Sequence, residues 1–319
     1  MDEFKLIKNY FQKLTKNNPS ALKLNDDVFF DKKNRIVLSI DSYNEKFHYL
    51  NFKKPGLVIK KIIRSSISDL ICKGVKPKCI LLSACGNKNH FNKRNLNLIS
   101  KSIAEEQKKY KIMLSGGDTT KSKLSSFTIV TLGISKKIIK RNNVKKNDDI
   151  YVTGNLGDSY IGLNILKKKI NINKKLNNYF IKKYFLPDIP IKLYKHLIKF
   201  ANSSIDISDG LFADLYKLVN NQKFGFSLYL NKIPISKNLS DYLKKNNKKK
   251  LNYISKGDDY QILFSASKKN RIYIQKLAKR INQKITLIGS FTNIYKQRKL
   301  IDHKDLKKSL NYEGYLHKF

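Results

Sequence analysis

Apolar residues along this chain alternate between the spacing of a helix and the spacing of a strand, and the alternation repeats from one end to the other. A short amphipathic helix is predicted at residues 3–15. The clearest helical pattern covers residues 59–73, where six apolar side chains share one face. Strand patterns flank it at residues 35–41 and 79–84, and another helix follows at residues 95–110. Interleaved strands and helices predict an α/β (α+β) fold.

A polar, basic segment at residues 137–149 interrupts the apolar periodicity near the middle of the chain. Strand and helix patterns start again at residues 149–153, and one of the later helices is predicted at residues 189–202. A chain of 319 residues is long enough for two domains of ordinary size. We therefore predict two α/β domains, residues 1–140 and residues 141–319.

The chain carries 66 Lys and Arg residues against 24 Asp and Glu residues, which gives a net charge of +42. Such a charge attracts polyanions, so a basic nucleic-acid-binding protein is one interpretation of the sequence. Only seven of the basic residues are arginine, the residue that makes bidentate contacts with phosphate and guanine. The lysines are spread over the whole chain. We therefore expect no specific nucleic-acid partner, and a tight duplex-DNA complex that weakens steeply with salt would contradict this expectation.

The apolar pattern and the cysteines indicate the cellular compartment of the protein. No stretch approaches the roughly 18 uncharged apolar residues of a membrane span, and the first residues lack a signal-peptide pattern. The three cysteines, Cys72, Cys79 and Cys85, form no CxxC pair and have no histidine at zinc-site spacing. We therefore expect a cytoplasmic protein with reduced cysteines and no membrane contact.

Acidic residues are scarce in this chain, yet they recur beside Gly and Ser at the ends of predicted elements. The common nucleotide-binding sequences, namely a P-loop, a GxGxxG turn and the protein-kinase HRD and DFG motifs, are absent. The recurring acids are Asp26, Asp27, Asp41, Asp69, Asp118, Asp206, Asp209, Asp258 and Asp259. Many carboxylates with few candidate bases are typical of phosphoryl transfer, in which Mg²⁺ ions bridge carboxylate and phosphate oxygens. Helix caps and ordinary turns are the alternative explanation of the same acids.

Two short segments provide most of the evidence for a phosphoryl-transfer site. Residues 115–120 read SGGDTT, where two glycines allow a ligand to approach closely, Asp118 can hold a cation and two hydroxyls can donate to phosphate. Residues 205–211 read IDISDGL, so Asp206 and Ser208 point to one side of an extended backbone and Asp209 enters a helix N-terminus. Each segment alone is also compatible with a turn or an N-cap.

Together these segments resemble the thiamine-monophosphate kinases of the aminoimidazole-ribonucleotide-synthetase-like superfamily. The resemblance runs in order through nearly the whole chain. It rests on residues 25–27, 39–41 with His48, Lys61, 68–70 with Gly74, 115–120, 151–154 with 157–159, 205–211, 255–260 and 314–315. Any one of these segments is weak support, whereas their order and spacing are specific.

The resemblance implies that the chain transfers the γ-phosphoryl group of ATP to thiamine monophosphate, giving thiamine diphosphate and ADP. It also implies a set of Mg²⁺ ligands, which are Asp27, Ser39, Asp41, Asp69, Asp118, Asp206 and Asp209. The implied ATP contacts are Gly117, Asp118, Arg141 and Ser208, and the implied thiamine monophosphate contacts are His48, Asp258 and Tyr315. No side chain is expected to act as a covalent catalyst, because several Mg²⁺ ions assist direct transfer.

Members of this family are homodimers, which implies an N-terminal mixed sheet with flanking helices that pairs with the sheet of a second copy. Residues 1–140 would then bind ATP and Mg²⁺, and residues 141–319 would complete the substrate site in a cleft between the domains. Other ATP-using members of the superfamily, above all aminoimidazole ribonucleotide synthetase, are an alternative at this stage.

The sequence departs from the family pattern at several positions. Four positions carry a different residue from the usual one: Asn25 replaces a glycine, Ile40 replaces a threonine, Ser66 replaces an asparagine and Leu186 replaces an arginine. The family's GGEDYE run reads KGDDYQ at residues 256–261, which makes the Asp258 side chain one methylene shorter than the usual Glu. The metal carboxylates are intact, and we therefore predict an active kinase with altered substrate affinity.

Overall fold

The computed structural model describes residues 2–220, 222–294, 298–301 and 307–309. Tyr315, one of the expected substrate contacts, lies outside the described residues. The chain forms two β-sheets, one in each half, and helices pack against both. The predicted mixed α/β fold is confirmed. No helix in the described part of the chain is long and apolar enough to cross a membrane.

The N-terminal sheet has five strands in the order β1-β2-β5-β3-β4. The strands are β1 (Phe29–Asp31), β2 (Ile36–Asn44), β3 (Pro77–Gly86), β4 (Met113–Lys121) and β5 (Ser126–Ile134). The β3–β4 pair is parallel and the other pairs are antiparallel, so this sheet is mixed, as expected. Two long helices, α2 (Pro55–Cys72) and α3 (Lys93–Tyr110), pack together over one face of the sheet.

The C-terminal sheet has seven strands in the order β12-β11-β8-β10-β6-β9-β7. Its strands are β6 (Asp149–Thr153), β7 (Ala201–Asp206), β8 (Gly225–Tyr229), β9 (Ile262–Ala266), β10 (Ile285–Thr292), β11 (Arg298–Ile301) and β12 (Lys307–Ser309). The accompanying helices are α4 (Asp158–Leu166), α5 (Lys174–Phe185), α6 (Tyr194–Leu197), α7 (Leu211–Val219), α8 (Lys237–Lys245), α9 (Leu251–Ile254) and α10 (Arg271–Arg280). Most strand pairs are antiparallel, and β11 runs parallel to β8.

The predicted helix at residues 189–202 is wrong. A 3₁₀ turn at Ile191–Leu193 leads into the short α6, and the strand β7 begins at Ala201. Pro190 precedes the turn and lacks an N–H group, which disfavours a continuous helix through it. The backbone of β7 pairs with β9 instead, so its polar groups are satisfied in the sheet.

The first predicted helix, at residues 3–15, is interrupted. Only α1 (Glu3–Leu6) is α-helical, and a π-helical turn at Ile7–Phe11 and a 3₁₀ turn at Gln12–Thr15 follow it. None of these residues is buried, so no packed apolar face holds a regular helix here.

Helix α2 joins the two halves of the molecule. Its Ile63 and Ile67 belong to one continuous apolar core that also includes Tyr184, Leu197 and Phe264 from the C-terminal half. Polar contacts add to this junction. The Lys73 ammonium, just after the helix, donates to the Ser204 carbonyl at 2.9 Å, and Arg64 donates to the Pro187 carbonyl at 3.2 Å. The end of α2 is thereby fixed against the strand β7.

The face of the N-terminal sheet opposite α2 carries several exposed apolar side chains. Ile40 on β2 is 69% exposed, and the others are Leu81, Met113 and Ile134. Every residue of the edge strand β4 is exposed. An apolar surface of this kind on a sheet is typical of a contact with another protein.

Candidate active site

A cleft of about 730 Å³ lies between the two sheets, and most of the predicted site residues line it. The N-terminal half contributes Asp27, Asp41, His48 and Asp69, and the C-terminal half contributes Arg141, Asp206, Ser208, Asp209 and Asp258. Asp41 lies in β2, Asp69 in the last turn of α2 and Asp206 at the end of β7, and the other three aspartates lie in connecting segments. The fold thus brings together acids that are up to 231 positions apart in the sequence, from Asp27 to Asp258.

Three of these carboxylates form a compact group. One oxygen atom each of Asp27, Asp69 and Asp206 lies within 4.8 Å of the others. Asp41 lies beside Asp69 in the same cleft, and the Ser68 hydroxyl donates to Asp206. Oxygen atoms at this spacing fit a hard divalent cation such as Mg²⁺.

The group is electrostatically strained without a cation. Burial raises the pKa of Asp41 to about 6, and burial together with the charges of Asp214 and Asp41 raises the pKa of Asp206 to about 6. Burial, then the charges of Asp41 and Asp206, raise the pKa of Asp69 well above its usual value. The carboxylates therefore compete for protons when no metal balances their charge.

For this reason the metal-free protein is expected to lose stability as the pH rises from 5 to 7.5. Carboxyl groups whose pKa is raised by folding bind protons more tightly in the folded chain, so their contribution to folding falls as the pH passes through about 4 to 6. We expect this contribution to lower the melting temperature by about 5 °C. Added Mg²⁺ should raise the melting temperature more at pH 7.5 than at pH 5, as measured by differential scanning fluorimetry. The Asp206→Asn variant serves as the control, since its side chain is neutral throughout, and an equal pH dependence in both proteins would contradict this account.

Protein cations pair with one member of this group, Asp27, and with Asp26, Asp209 and Asp214 around it. Lys73, which is fully buried, lies 2.8 Å from Asp26 and 2.6 Å from Asp27. The Arg141 guanidinium forms an ion pair with Asp27 as well. Lys217 pairs with Asp209 and with the buried Asp214. Lys73 and Lys217 were not among the predicted site residues, because nothing in the sequence distinguishes them from the other lysines.

The opposite end of the cleft is aromatic and less acidic. Asp258 accepts a 2.7 Å hydrogen bond from the buried Lys61, whose ammonium lies 3.7 Å from the centre of the Tyr184 ring. The Tyr260 hydroxyl donates to the same Asp258 oxygen at 3.1 Å. His48 lies nearby, with its Nδ1 accepting from the Asn44 N–H at 2.9 Å.

A close backbone approach places Asp258 beside the segment that carries Ser208. The Asp258 N–H donates to the Ser208 carbonyl at 2.8 Å. A Cβ on Gly257 would lie 1.8 Å from that carbonyl oxygen, so only glycine permits the approach. The departure from the family pattern at Lys256 leaves this contact in place.

Three predicted residues do not face the cleft within one chain. The Ser39 hydroxyl is buried and donates to the Ser66 carbonyl at 3.4 Å. Gly117 and Asp118 lie on the exposed strand β4, where Asp118 is paired with Ser83. None of the three lines the cavity that holds the other predicted residues.

Comparisons with known proteins show which proteins this chain is similar to. A family model, AIR synthase related protein, N-terminal domain, matches residues 24–135. A thiamine-monophosphate kinase of Buchnera aphidicola subsp. Schizaphis graminum is 38% identical over 95% of this chain and 94% of its own length, and that of Buchnera aphidicola subsp. Acyrthosiphon pisum is 37% identical over 94% of each. The solved structure of AaThiL complexed with AMPPCP and TMP matches with a TM-score of 0.85 and 26% identity, covering 99% of this chain and 97% of that one.

Proposed function

The chain belongs to the thiamine-monophosphate kinase family, and from this premise we propose how its cleft carries out the reaction. The protein is an ATP-dependent kinase that phosphorylates thiamine monophosphate to thiamine diphosphate. The relatives carry this activity and not that of an aminoimidazole ribonucleotide synthetase. The group of carboxylates at Asp27, Asp69 and Asp206 supports a metal-assisted transfer most directly.

We propose that Asp27, Asp41, Asp69 and Asp206 hold Mg²⁺, with Asp209 at the edge of the same group. The donor set fits the ion, since these are oxygen ligands at suitable spacing whose mutual repulsion a divalent cation would relieve. Bound Mg²⁺ would neutralise the polyphosphate and the charge that develops on the transferred group. The carboxylates provide a rigid frame for that chemistry, because each lies on or next to a strand or helix end.

The polyphosphate of ATP is proposed to bind beside Arg141 and Ser208. Arg141 can donate hydrogen bonds to phosphate oxygens while its position is fixed by the ion pair with Asp27. Ser208 lines the same cleft. No covalent intermediate on the protein is needed, because the two substrates can meet directly between the sheets.

Thiamine monophosphate is proposed to occupy the aromatic end, near His48 and Asp258. The Lys61 ammonium already balances most of the charge of Asp258, so this carboxylate serves as a hydrogen-bond acceptor more than as a partner for the thiazolium cation. Tyr184 offers an aromatic surface at the same place. Tyr315, which lies outside the described residues, is retained as a proposed substrate contact.

The homodimer is a proposal that rests on the exposed face of the N-terminal sheet. Ile40, Met113 and Ile134 are all more than half exposed there, which is unusual for a surface that stays in water. Pairing of two such faces would also cover β4, the strand of Gly117 and Asp118. We therefore propose that these two residues reach an ATP site only in the assembled dimer.

The wild-type protein should accordingly have twice the mass of its 37.1 kDa chain in sedimentation or light-scattering measurements. Ile40→Lys places two like charges in the proposed interface and should weaken dimerisation at least about tenfold. Leu98→Lys, at an exposed leucine on α3, is the matched control and should leave the mass unchanged. A monomeric wild type at micromolar concentration would contradict the proposal.

The direct test of the function is formation of thiamine diphosphate by the purified protein. ATP, Mg²⁺ and thiamine monophosphate are incubated with the enzyme, and the products are separated by chromatography. Product should appear with stoichiometric ADP, and removal of Mg²⁺ by EDTA should abolish it. Absence of product under conditions in which a homologous kinase is active would refute the assignment.

We also propose a cytoplasmic location. The three cysteines, Cys72, Cys79 and Cys85, are free in the structure, as is usual in a reducing compartment.

A further inference from the structure

Lys217 lies inside the carboxylate cleft and forms ion pairs with two aspartates. Its Nζ contacts Asp209 and lies 2.9 Å from an oxygen of Asp214. The side chain is only 12% exposed, yet it lines the cavity together with Arg141 and Ser208. The ammonium is thus placed at the edge of the site and not on the outer surface.

Asp214 anchors this lysine. Its carboxylate is completely buried, and it accepts hydrogen bonds from the N–H groups of Asp209 and Gly210 at 3.0 and 3.1 Å. The ion pair with Asp214 would therefore hold the ammonium in place even if Asp209 turned towards another ligand.

The protein cations are distributed unevenly over the cleft. Lys73, Arg141 and Lys217 form ion pairs with Asp26, Asp27, Asp209 and Asp214. In the described part of the chain no lysine or arginine forms an ion pair with Asp41, Asp69 or Asp206. Asp41, Asp69 and Asp206 thus depend on a cation from solution, Asp27 beside them also contacts protein cations, and Asp209 already contacts Lys217.

We propose that Lys217 is a built-in cation of this kinase, which takes the place of a divalent ion at Asp209 and contacts the polyphosphate of bound ATP. The inference rests on the proposed Mg²⁺ chemistry of the cleft. It corrects one part of the resemblance, in which Asp209 counts among the metal ligands. Arg141 and Ser208 line the same cavity as Lys217, and a phosphate held by them would be a suitable partner for the ammonium.

The test counts Mn²⁺ ions bound to the ATP-free protein, by electron paramagnetic resonance of the free ion. The Lys217→Met variant should bind one Mn²⁺ per chain more than the wild type, or bind its weakest ion at least about tenfold more tightly. Adding Asp209→Asn to this variant should remove the gain. Lys223→Met is the matched control, because Lys223 is exposed and does not line the cleft, and it should bind Mn²⁺ as the wild type does. The KM for Mg-ATP should rise about tenfold in Lys217→Met alone.

An unchanged Mn²⁺ count and affinity in Lys217→Met would overturn the inference, as would a gain that survives Asp209→Asn. If Lys217→Met does not fold, Lys217→Gln replaces it, because the amide keeps a hydrogen bond to Asp214 and removes only the charge. The same gain of Mn²⁺ binding must then appear, or the inference is wrong. Thiamine diphosphate formation is measured separately, so a failure of the kinase assignment is distinguishable from a failure of this inference.

Discussion

Replacing Asp69 with asparagine is expected to lower kcat about 10³-fold and, at the same time, to stabilise the metal-free protein. Asp69 lies among carboxylates that leave it with a strongly raised pKa, so the neutral amide removes an unfavourable buried charge. The same substitution removes a central oxygen ligand of the proposed Mg²⁺ site. Its loss costs the transition state about 4 kcal/mol, which corresponds to the expected decrease in kcat.

Opposite changes in stability and activity separate a role in the reaction from a role in folding. Melting temperatures without metal should rise by about 2–5 °C in Asp69→Asn, and the increase caused by Mg²⁺ in the wild type should be largely lost. Asp241→Asn is the matched control, since Asp241 is an exposed residue of α8, and it should change neither quantity. If Asp69→Asn kept full activity, or lost activity together with stability, Asp69 would not be a metal ligand.

The second large effect is expected at the ion pair between Arg64 and Glu106. The guanidinium donates two 2.8 Å hydrogen bonds to the carboxylate, and both side chains are buried between α2 and α3. Arg64→Met leaves the Glu106 charge buried without a partner, at a cost of about 3–5 kcal/mol. We expect the melting temperature to fall on the order of 10 °C.

The double variant Arg64→Met, Glu106→Leu separates the ion pair from the packing. Both charges are then absent and apolar side chains fill the space, so most of the lost stability should return. Urea denaturation of the wild type, the two single variants and the double variant gives the coupling energy directly. Additive losses in the double variant would show that the pair itself contributes little.

The sequence was most informative where functional residues follow regular elements. Asp41 lies in a strand, Asp69 lies in the last turn of a helix and Asp206 ends another strand, and all three line one cleft. The amphipathic pattern of α2 was equally clear, because its apolar face packs against both halves of the molecule. At these positions, local periodicity and turn chemistry were sufficient to predict the helix and the acidic residues of the cleft.

Other parts of the site depend on contacts that local sequence does not encode. Lys73 pairs with Asp26, which lies far away in the sequence, and Lys217 pairs with Asp214, which lies one helical turn earlier. Because the chain contains so many lysines, the sequence alone does not identify these two as site residues. Asp118 belongs to a recognisable SGGDTT segment, but its strand runs along the far edge of the sheet.

The position of α2 has a consequence for how the chain is made. One face of this helix packs on the N-terminal sheet, and its other contacts come from residues near 184–204, more than a hundred positions later. While the ribosome is still adding those residues, part of the apolar surface of α2 has no partner and stays open to water. The N-terminal half therefore depends on the completed C-terminal half for its final form, and early truncation products are exposed to aggregation and proteolysis.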